Sequence, residues 1–249
     1  MSSAAKKGKY RYATARQNYE DYSSGRVLYG SPGATGFPVR LATEIFQRCA
    51  QRLSDEELAP PYSLYDPCCG GGYSASVIGF LHGDQIQKIY CSDISEQALD
   101  LARRNLALLT PAGLDERTGE IRRLHESYNK QSHRDALESA SRLRHQLTSQ
   151  IQTNCFRFDI LGGEDLSQQL EKVDLVITDL PYGQAVSWSG ATDHSAPEQK
   201  LLTNIRPVLK PTSIVAITTS KTQPFAHDGY RRLEHTKIGK RRLLILQPQ

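Results

Sequence analysis

The sequence has 249 residues, 38% of them hydrophobic, and a formal net charge of +4. This length allows one sizeable α/β core with decorations, and so small a net charge is weak evidence for nucleic-acid binding. Five cysteines without C-x-x-C spacing argue against a disulfide framework and a zinc site, and no apolar run has membrane length. We therefore expect a cytoplasmic protein with no metal and no membrane partner.

The first part of the chain, residues 1–60, is predicted as an N-terminal arm and a helix ahead of a main domain over residues 61–249. Apolar residues recur with helical spacing over Phe37–Leu53. The arm interleaves Lys and Arg with five of the twelve tyrosines, which are Tyr10, Tyr12, Tyr19, Tyr22 and Tyr29. Such a segment can contact RNA by stacking on bases and pairing with phosphates, or its tyrosines can pack on the core. Both interpretations stay open.

A glycine-rich turn follows the first predicted strand. The strand covers Tyr62–Tyr65 and runs into Asp66, and Gly70, Gly71 and Gly72 then precede a helix that starts at about Tyr73. Glycines permit positive φ and a close approach of the backbone, and a helix start presents free N–H groups. The stretch therefore predicts a cradle for a small molecule.

The charge of the ligand distinguishes the two candidates for this cradle. Gly70 to Ala75 also satisfies the Gly-x-Gly-x-x-Ala pattern of dinucleotide sites, where a pyrophosphate rests on the helix N-terminus. Asp66 would repel that pyrophosphate. S-adenosylmethionine carries a positive sulfonium and a positive ammonium and no phosphate, so it fits better. A nicotinamide-dependent oxidoreductase remains the alternative.

Further acids end the next predicted strands. Ile86–Cys91 leads to Asp93, about twenty residues beyond the glycines, where a carboxylate can accept both ribose hydroxyls of a nucleoside. Thr153–Phe158 leads to Asp159, which is placed to accept the exocyclic amine of an adenine. Because the carboxyl ends of parallel strands form one crevice, Asp66 and these two acids should line a single site.

The segment from residue 111 to residue 150 is predicted as a helical insertion. Its two helices are expected over Leu114–Tyr128 and His133–Gln150, with Ser132 as the second N-cap, while Ser95 caps the preceding helix. Basic and acidic residues nearly cancel here, which favours a solvated amphipathic hairpin over an RNA-binding lobe.

The last part of the chain completes a mostly parallel sheet. Val173–Thr178 delivers Asp179, Leu180, Pro181 and Tyr182 to the same edge as the other acids. The later elements are a helix over Pro197–Ile205, a strand over Ser213–Thr219, and an antiparallel pair, Tyr230–Lys237 and Arg241–Leu246, that turns at Gly239.

Two motifs resemble a known family. Asp-Pro-Cys-Cys-Gly-Gly-Gly from Asp66 is similar to the glycine motif of class I S-adenosylmethionine-dependent methyltransferases. Asp179 to Tyr182 is similar to the Asn/Asp-Pro-Pro-Tyr motif of enzymes that methylate nitrogens in nucleic acids. The resemblance implies a Rossmann-like α/β fold, with a mostly parallel seven-stranded sheet and helices on both faces. It also implies S-adenosylmethionine as cofactor, held by Asp66, Cys68, Gly70, Gly72, Asp93 and Asp159.

The whole chain, including Phe37-Pro38-Val39-Arg40, resembles the avilamycin-resistance rRNA methyltransferases. This implies methylation of a guanine in 23S rRNA of the large subunit at ring N1, and resistance to an orthosomycin antibiotic. Asp179 would orient the base and accept from its N–H edge, the Leu180 carbonyl would accept from a base amine, Pro181 would fix the turn, and Tyr182 would stack on an extruded base.

Some alternatives remain open. Leu180 replaces the usual proline, so methylation of the exocyclic N2 is less separable from methylation of N1. DNA adenine or protein glutamine are other substrates of related motifs, and a non-catalytic RNA-binding protein is a second class of function. A monomer is expected, although no motif in the sequence sets the oligomeric state.

Overall fold

Seven strands form one sheet in the computed structural model, which describes residues 10–30, 36–147, 149–180, 197–219 and 227–249. In chain order they are β1 (Tyr62–Asp66), β2 (Ile86–Asp93), β3 (Gln152–Arg157), β4 (Val173–Asp179), β5 (Leu209–Thr219), β6 (Tyr230–Ile238) and β7 (Arg241–Pro248). The spatial order is β3-β2-β1-β4-β5-β7-β6. Strands β1 to β5 are parallel, and β7 lies antiparallel between β5 and β6.

Six α-helices accompany the sheet within the described ranges. They are α1 (Val39–Asp55), α2 (Tyr73–His82), α3 (Glu96–Ala107), α4 (Pro111–Tyr128), α5 (Gln131–Gln146) and α6 (Pro197–Ile205). None of the described helices is long and apolar enough to cross a membrane. The predicted fold class, a mostly parallel seven-stranded sheet with a helical insertion, is confirmed.

Two hydrophobic clusters cover the two faces of the sheet. Leu64 of β1 belongs to the cluster under α1, α2 and α3, while its neighbour Tyr65 belongs to the cluster under α6. Strands β1 and β4 are covered on both faces, since all five residues of β1 and the first six of β4 are buried, and the polar Ser63 and Asp174 hydrogen-bond to each other between the two strands. This burial fixes the carboxyl ends of both strands at one edge.

The helical insertion differs in detail from its prediction. Helix α4 begins at Pro111, where Thr110 accepts the amide of Gly113 at 3.1 Å. Proline suits the first helical position because its missing N–H is not needed there. Ser132 as an N-cap was wrong, because α5 already starts at Gln131, and no side chain caps it.

The tyrosines of the arm mostly pack on the protein. Tyr22 is buried, and the ring of Tyr29 lies between the guanidinium groups of Arg104 and Arg117, 3.7 and 4.2 Å from its centroid. Tyr10 lies under Arg40 at 4.0 Å. Core packing thus accounts for most of these rings, and of the five tyrosines only Tyr12, at 39% exposure, remains largely in solvent.

Helix α1 joins the arm to the sheet. Its apolar face, including Ile45 and Phe46, belongs to the cluster that also covers β1 and β4. Residues before position 61 therefore contribute to the same core as the sheet. The division of the chain at residue 60 stays a prediction.

A buried carboxylate holds the arm against α1. Glu44 is fully buried, and it accepts the backbone N–H groups of Arg11, Tyr12 and Ala13 at 2.7 to 2.9 Å. Nε of Arg48 donates to it at 2.7 Å. Burial alone would raise the pKa of Glu44, but these four donors outweigh it and lower the pKa below the ordinary value.

We expect Glu44→Gln to lower the free energy of unfolding by about 3 kcal/mol at pH 7, because the amide turns N–H groups toward donors and removes the buried negative charge that faces Arg48. Urea unfolding measures the difference, with the exposed Glu116→Gln as the matched control. Folding lowers the pKa of Glu44. Its contribution to the free energy of unfolding is therefore fully present above the ordinary pKa of a glutamate and is lost as the pH falls through the lowered pKa of the folded state. The difference in free energy of unfolding between the wild type and Glu44→Gln should therefore shrink below about pH 4. A gap that is constant from pH 7 to pH 3 would contradict this account.

Candidate functional site

Three strands of the sheet end in aspartates at one edge. β1 ends at Asp66, β2 at Asp93 and β4 at Asp179. β1 is the neighbour of both other strands, so its carboxyl end lies between theirs. The glycine turn leaves this edge from Asp66 and leads into α2. Parallel strands with crossover helices place ligands in this position.

The glycine turn is open on one side and closed on the other. Gly70 and Gly72 have φ of +52° and +67°, a region that disfavours side chains. A Cβ at Gly72 would meet the Cα of Ala102 at 3.0 Å, so this part of the turn lies tightly against α3. A Cβ at Gly70 would meet nothing within 4 Å. Gly70 therefore faces free space at the carboxyl edge of the sheet.

Asp93 ties the glycine turn to the start of α3. The Gly70 N–H donates to Oδ2 of Asp93 at 2.9 Å, and the Ser95 N–H donates to Oδ1 at 2.9 Å. The hydroxyl of Ser95 in turn accepts the amide of Ala98, which confirms Ser95 as the helix cap. A carboxylate has about four acceptor positions. Asp93 thus keeps acceptor positions for a polar ligand beside Gly70.

Asp66 is the buried member of the three acids. Its side chain is 4% exposed, and the Cys68 N–H donates to Oδ1 at 3.2 Å. Burial raises its pKa to about 7, and the negative charges of Asp93 and Asp179 act in the same direction. A cation bound beside Asp66 would offset this penalty, whereas an anion would add to it. The acid therefore suits a positively charged ligand group.

Asp179 is held by two side chains that sequence reasoning missed. The Thr218 hydroxyl donates to Oδ1 at 2.6 Å, while Arg241 donates from Nε to Oδ1 at 3.3 Å and from Nη2 to Oδ2 at 3.2 Å. Thr218 lies opposite Asp179 in the β4–β5 register. Arg241 opens β7, sixty-two positions away in sequence, and no motif marks it.

The other predicted site residues differ in their surroundings. Leu180 is buried, and its N–H donates to the Thr218 carbonyl at 2.9 Å, which extends the pairing of β4 with β5. Pro181 and Tyr182 lie outside the described residues. Cys68 packs against the cluster under α6, where burial raises the pKa of its thiol well above the ordinary value.

Asp159 is exposed and serves its own turn. Its Oδ1 accepts the Leu161 N–H at 2.9 Å, and its carbonyl accepts the Gly162 N–H at 2.8 Å. The preceding residue, Phe158, donates its N–H to the Asp93 carbonyl at 3.1 Å, which brings this turn to the end of β2, but no described contact joins the Asp159 carboxylate to the other acids. Its role in holding an adenine stays a prediction. Within the described ranges, no group of three or more His, Cys, Asp or Glu side chains is arranged to hold a metal ion.

Comparisons with known proteins place this site in context. The family model described as rRNA methyltransferase AviRa matches residues 8–241. A curated relative, the 23S rRNA (guanine(2535)-N(1))-methyltransferase of Streptomyces viridochromogenes, is 38% identical over 244 residues, covering 96% of this chain and 95% of the relative. Two solved structures of the rRNA methyltransferase aviRa from Streptomyces viridochromogenes match with a TM-score of 0.86 at 36% identity, over 96% of both chains.

We expect Asp66 to make stability depend on pH in a way that Asp66→Asn removes. The pKa of Asp66 is about 7 in the folded chain, above the ordinary 3.8. Between pH 3.8 and pH 7, the folded chain therefore keeps a proton on Asp66 that the unfolded chain has lost. The stability from protonated Asp66 is full below about pH 4 and is lost as the pH rises through 7. Between pH 5 and pH 8 the wild type should therefore lose about 2 kcal/mol more than the variant.

Urea unfolding at the two pH values, with the exposed Asp84→Asn as control, measures this difference. Equal pH dependence in wild type and Asp66→Asn would show that Asp66 is ionised throughout.

Proposed function

The chain belongs to the AviRa family of rRNA methyltransferases, and from this membership we propose that it transfers a methyl group from S-adenosylmethionine to ring N1 of a guanine in 23S rRNA. The single observation that carries the proposal is the convergence of Asp66, Asp93 and Asp179 around an open glycine turn. The S. viridochromogenes relative is named for the same atom and the same class of RNA. The family predicted from the sequence motifs is confirmed by these comparisons.

The glycine turn and its acids fit the cofactor chemically. We assign the amino acid end of S-adenosylmethionine to Asp66, with Cys68 and Gly72 shaping the turn behind it. Asp93, oriented by the N–H groups of Gly70 and Ser95, accepts the ribose hydroxyls. Asp159 is proposed for the adenine amine. When bound, this cofactor supplies an electrophilic methyl group on a positively charged sulfur.

The charge of the site disfavours a nicotinamide cofactor. A pyrophosphate at the start of α2 would lie close to Asp66 and Asp93, and the structure places no basic side chain among the described contacts of the turn to offset this. A thermal-shift comparison separates the two ligands, because S-adenosylmethionine should raise the melting temperature while NAD leaves it unchanged. The opposite result would favour an oxidoreductase.

Methyl transfer needs a group that receives the N1 proton of guanine. The electron pair of the N1–H bond, left on N1 when Asp179 takes the proton, would form the new N–CH₃ bond, and the electron pair of the S–CH₃ bond would stay on the sulfur of the leaving S-adenosylhomocysteine. The N1 proton leaves through the carboxylate of Asp179 to solvent. Holding the donor and the acceptor in line supplies most of the rate. The carbonyl of Leu180 accepts from the N2 amine of the same guanine, and Pro181 and Tyr182 are proposed to fix the turn and to stack on the base.

The ordered arm is proposed as an RNA contact. Glu44 fixes the backbone of residues 11–13, and Arg11, Tyr12 and Arg16 are exposed there. Exposed cations beside an exposed aromatic ring suit phosphates and unpaired bases. Action on ribosomal RNA implies a cytoplasmic location, and resistance to an orthosomycin antibiotic follows if the modified guanine lies in the ribosomal binding site of that drug.

We expect Gly70→Ala to weaken S-adenosylmethionine binding by about tenfold, equivalent to about 1.4 kcal/mol, because the added Cβ enters the space facing the ligand. Gly239→Ala is the matched control. Both glycines have positive φ, at +52° and +60°, and a Cβ at either meets nothing within 4 Å. Each variant should therefore lose about 1 kcal/mol of stability through strain. Isothermal titration calorimetry measures the affinity, and an equal dissociation constant for the two variants would place the cofactor elsewhere.

Asp179→Asn should lower methyl transfer by about 100-fold or more, because an amide cannot receive the N1 proton. The affinity for S-adenosylmethionine should change by less than about twofold, since the cofactor is held by other residues. The assay is incorporation of labelled methyl into 23S rRNA, with mass spectrometry of the digested RNA to identify the nucleotide and ring position. The surface variant Asp55→Asn is the control. Undiminished turnover would remove Asp179 from the chemistry, and a product methylated at N2 would select the exocyclic alternative.

A further inference from the structure

The acceptor positions of the Asp179 carboxylate are nearly all used. Oδ1 accepts from the Thr218 hydroxyl at 2.6 Å and from Nε of Arg241 at 3.3 Å. Oδ2 accepts from Nη2 of Arg241 at 3.2 Å. A carboxylate offers two positions on each oxygen. Among the described contacts, three positions are occupied, and the fourth is on Oδ2.

Arg241 is itself held in place. Its guanidinium carbon lies 4.8 Å from the centroid of the Phe37 ring, and its side chain is 18% exposed. Arg241 begins β7, which pairs with β5 beside β4. The planar group thus lies between an aromatic ring and a carboxylate, an arrangement that suits arginine and that lysine cannot reproduce. Two segments distant in sequence, the one before α1 and the start of β7, meet at Asp179 here.

We propose that Arg241 is the positioning residue of the active site: with Thr218 it locks the Asp179 carboxylate so that Oδ2 alone presents a free acceptor position to the N1–H of guanine. This inference rests on the proposed methyl transfer and deepens it. Oδ2 takes the N1 proton, the electron pair of that N1–H bond then forms the bond from N1 to the methyl carbon, and the pair of the breaking S–CH₃ bond stays on sulfur. Arg241 touches neither the base nor the cofactor in this arrangement. Arg241 acts by fixing the direction in which the acceptor atom, Oδ2 of Asp179, faces.

A fixed acceptor direction matters because transfer requires alignment. The sulfur, the methyl carbon and N1 must lie on one line, and N1 is held through its hydrogen bond to Oδ2. A carboxylate free to rotate would place N1 off that line, and a displacement of about 1 Å can cost about 100-fold in rate. Binding of rRNA and of S-adenosylmethionine draws on other contacts and does not need this alignment.

The test compares Arg241→Ala, Arg241→Lys and Arg242→Gln in the full chain with 23S rRNA and S-adenosylmethionine. Arg242 is the matched control, since it is the next residue of β7 and its side chain points to the opposite face of the sheet. For Arg241→Ala we expect kcat to fall about 100-fold, while KM for rRNA and Kd for S-adenosylmethionine stay within about twofold. Arg241→Lys should have a kcat only slightly above that of Arg241→Ala, because a lysine cannot donate to both oxygens of the Asp179 carboxylate.

Chemical rescue separates positioning from a structural role. Added guanidinium ion, at concentrations that leave the fold intact by circular dichroism, should restore part of kcat in Arg241→Ala and none in Asp179→Asn. If Arg241→Ala fails to fold, Arg241→Lys carries the same kcat-against-KM comparison.

The outcomes are distinct. A wild type that methylates 23S rRNA with an Arg241→Ala variant of unchanged kcat would overturn the role of Arg241 alone. A loss confined to KM, or a loss that guanidinium does not relieve in a folded variant, would also overturn it. A wild type that transfers no methyl group to 23S rRNA would instead overturn the proposed function, and the role of Arg241 with it.

Discussion

Three like charges meet at one edge of the sheet, and the active site depends on how their repulsion is offset. Each aspartate is held differently. Asp93 accepts two backbone N–H groups, Asp179 is paired with Arg241, and Asp66 is buried, so its pKa rises to about 7. Asp66 and Asp93 both lack a cationic partner in the described contacts, and under the proposed function the buried one of the two, Asp66, meets the positive end of S-adenosylmethionine. Under the proposed function, the cofactor would offset the charge that the chain itself leaves unbalanced.

The start of the chain supports this edge from outside the sheet. Glu44 anchors the arm to α1, and Phe37, just before α1, packs on Arg241 and through it supports Asp179. Residues 8–241 match one family model, so the arm belongs to the family pattern along with the sheet. Under the proposed function, this part of the chain has two roles, one in holding the Asp179 carboxylate through Phe37 and Arg241 and one in contacting RNA. A segment with both roles cannot be freely exchanged, even though it lies outside the parallel strands.

Local patterns predicted most of the elements. The strands predicted over Tyr62–Tyr65 and Val173–Thr178 are β1 and β4, Ser95 marks the start of α3 as predicted, and the helix over Pro197–Ile205 was predicted with its observed bounds. The failures came where tertiary contacts compete with local preference. Ser132 is a good capping residue in isolation, yet the N-cap of α5 is Lys130, two positions earlier. The arm tyrosines suit base stacking, yet burial against the sheet and arginine stacking on Tyr29 accounts for most of them.

The sequence by itself determined the fold class, the glycine turn, and the acids that end the strands, because these depend on local spacing and on the rule that parallel strands end together. Only the tertiary structure decided which groups surround each acid. Arg241 and Thr218 reach Asp179 because β5 and β7 are neighbours in space, and Asp159 turns to its own backbone. Hydrogen-bond partners depend on distances of about 3 Å between atoms far apart in the chain, and no spacing along the sequence encodes such a distance.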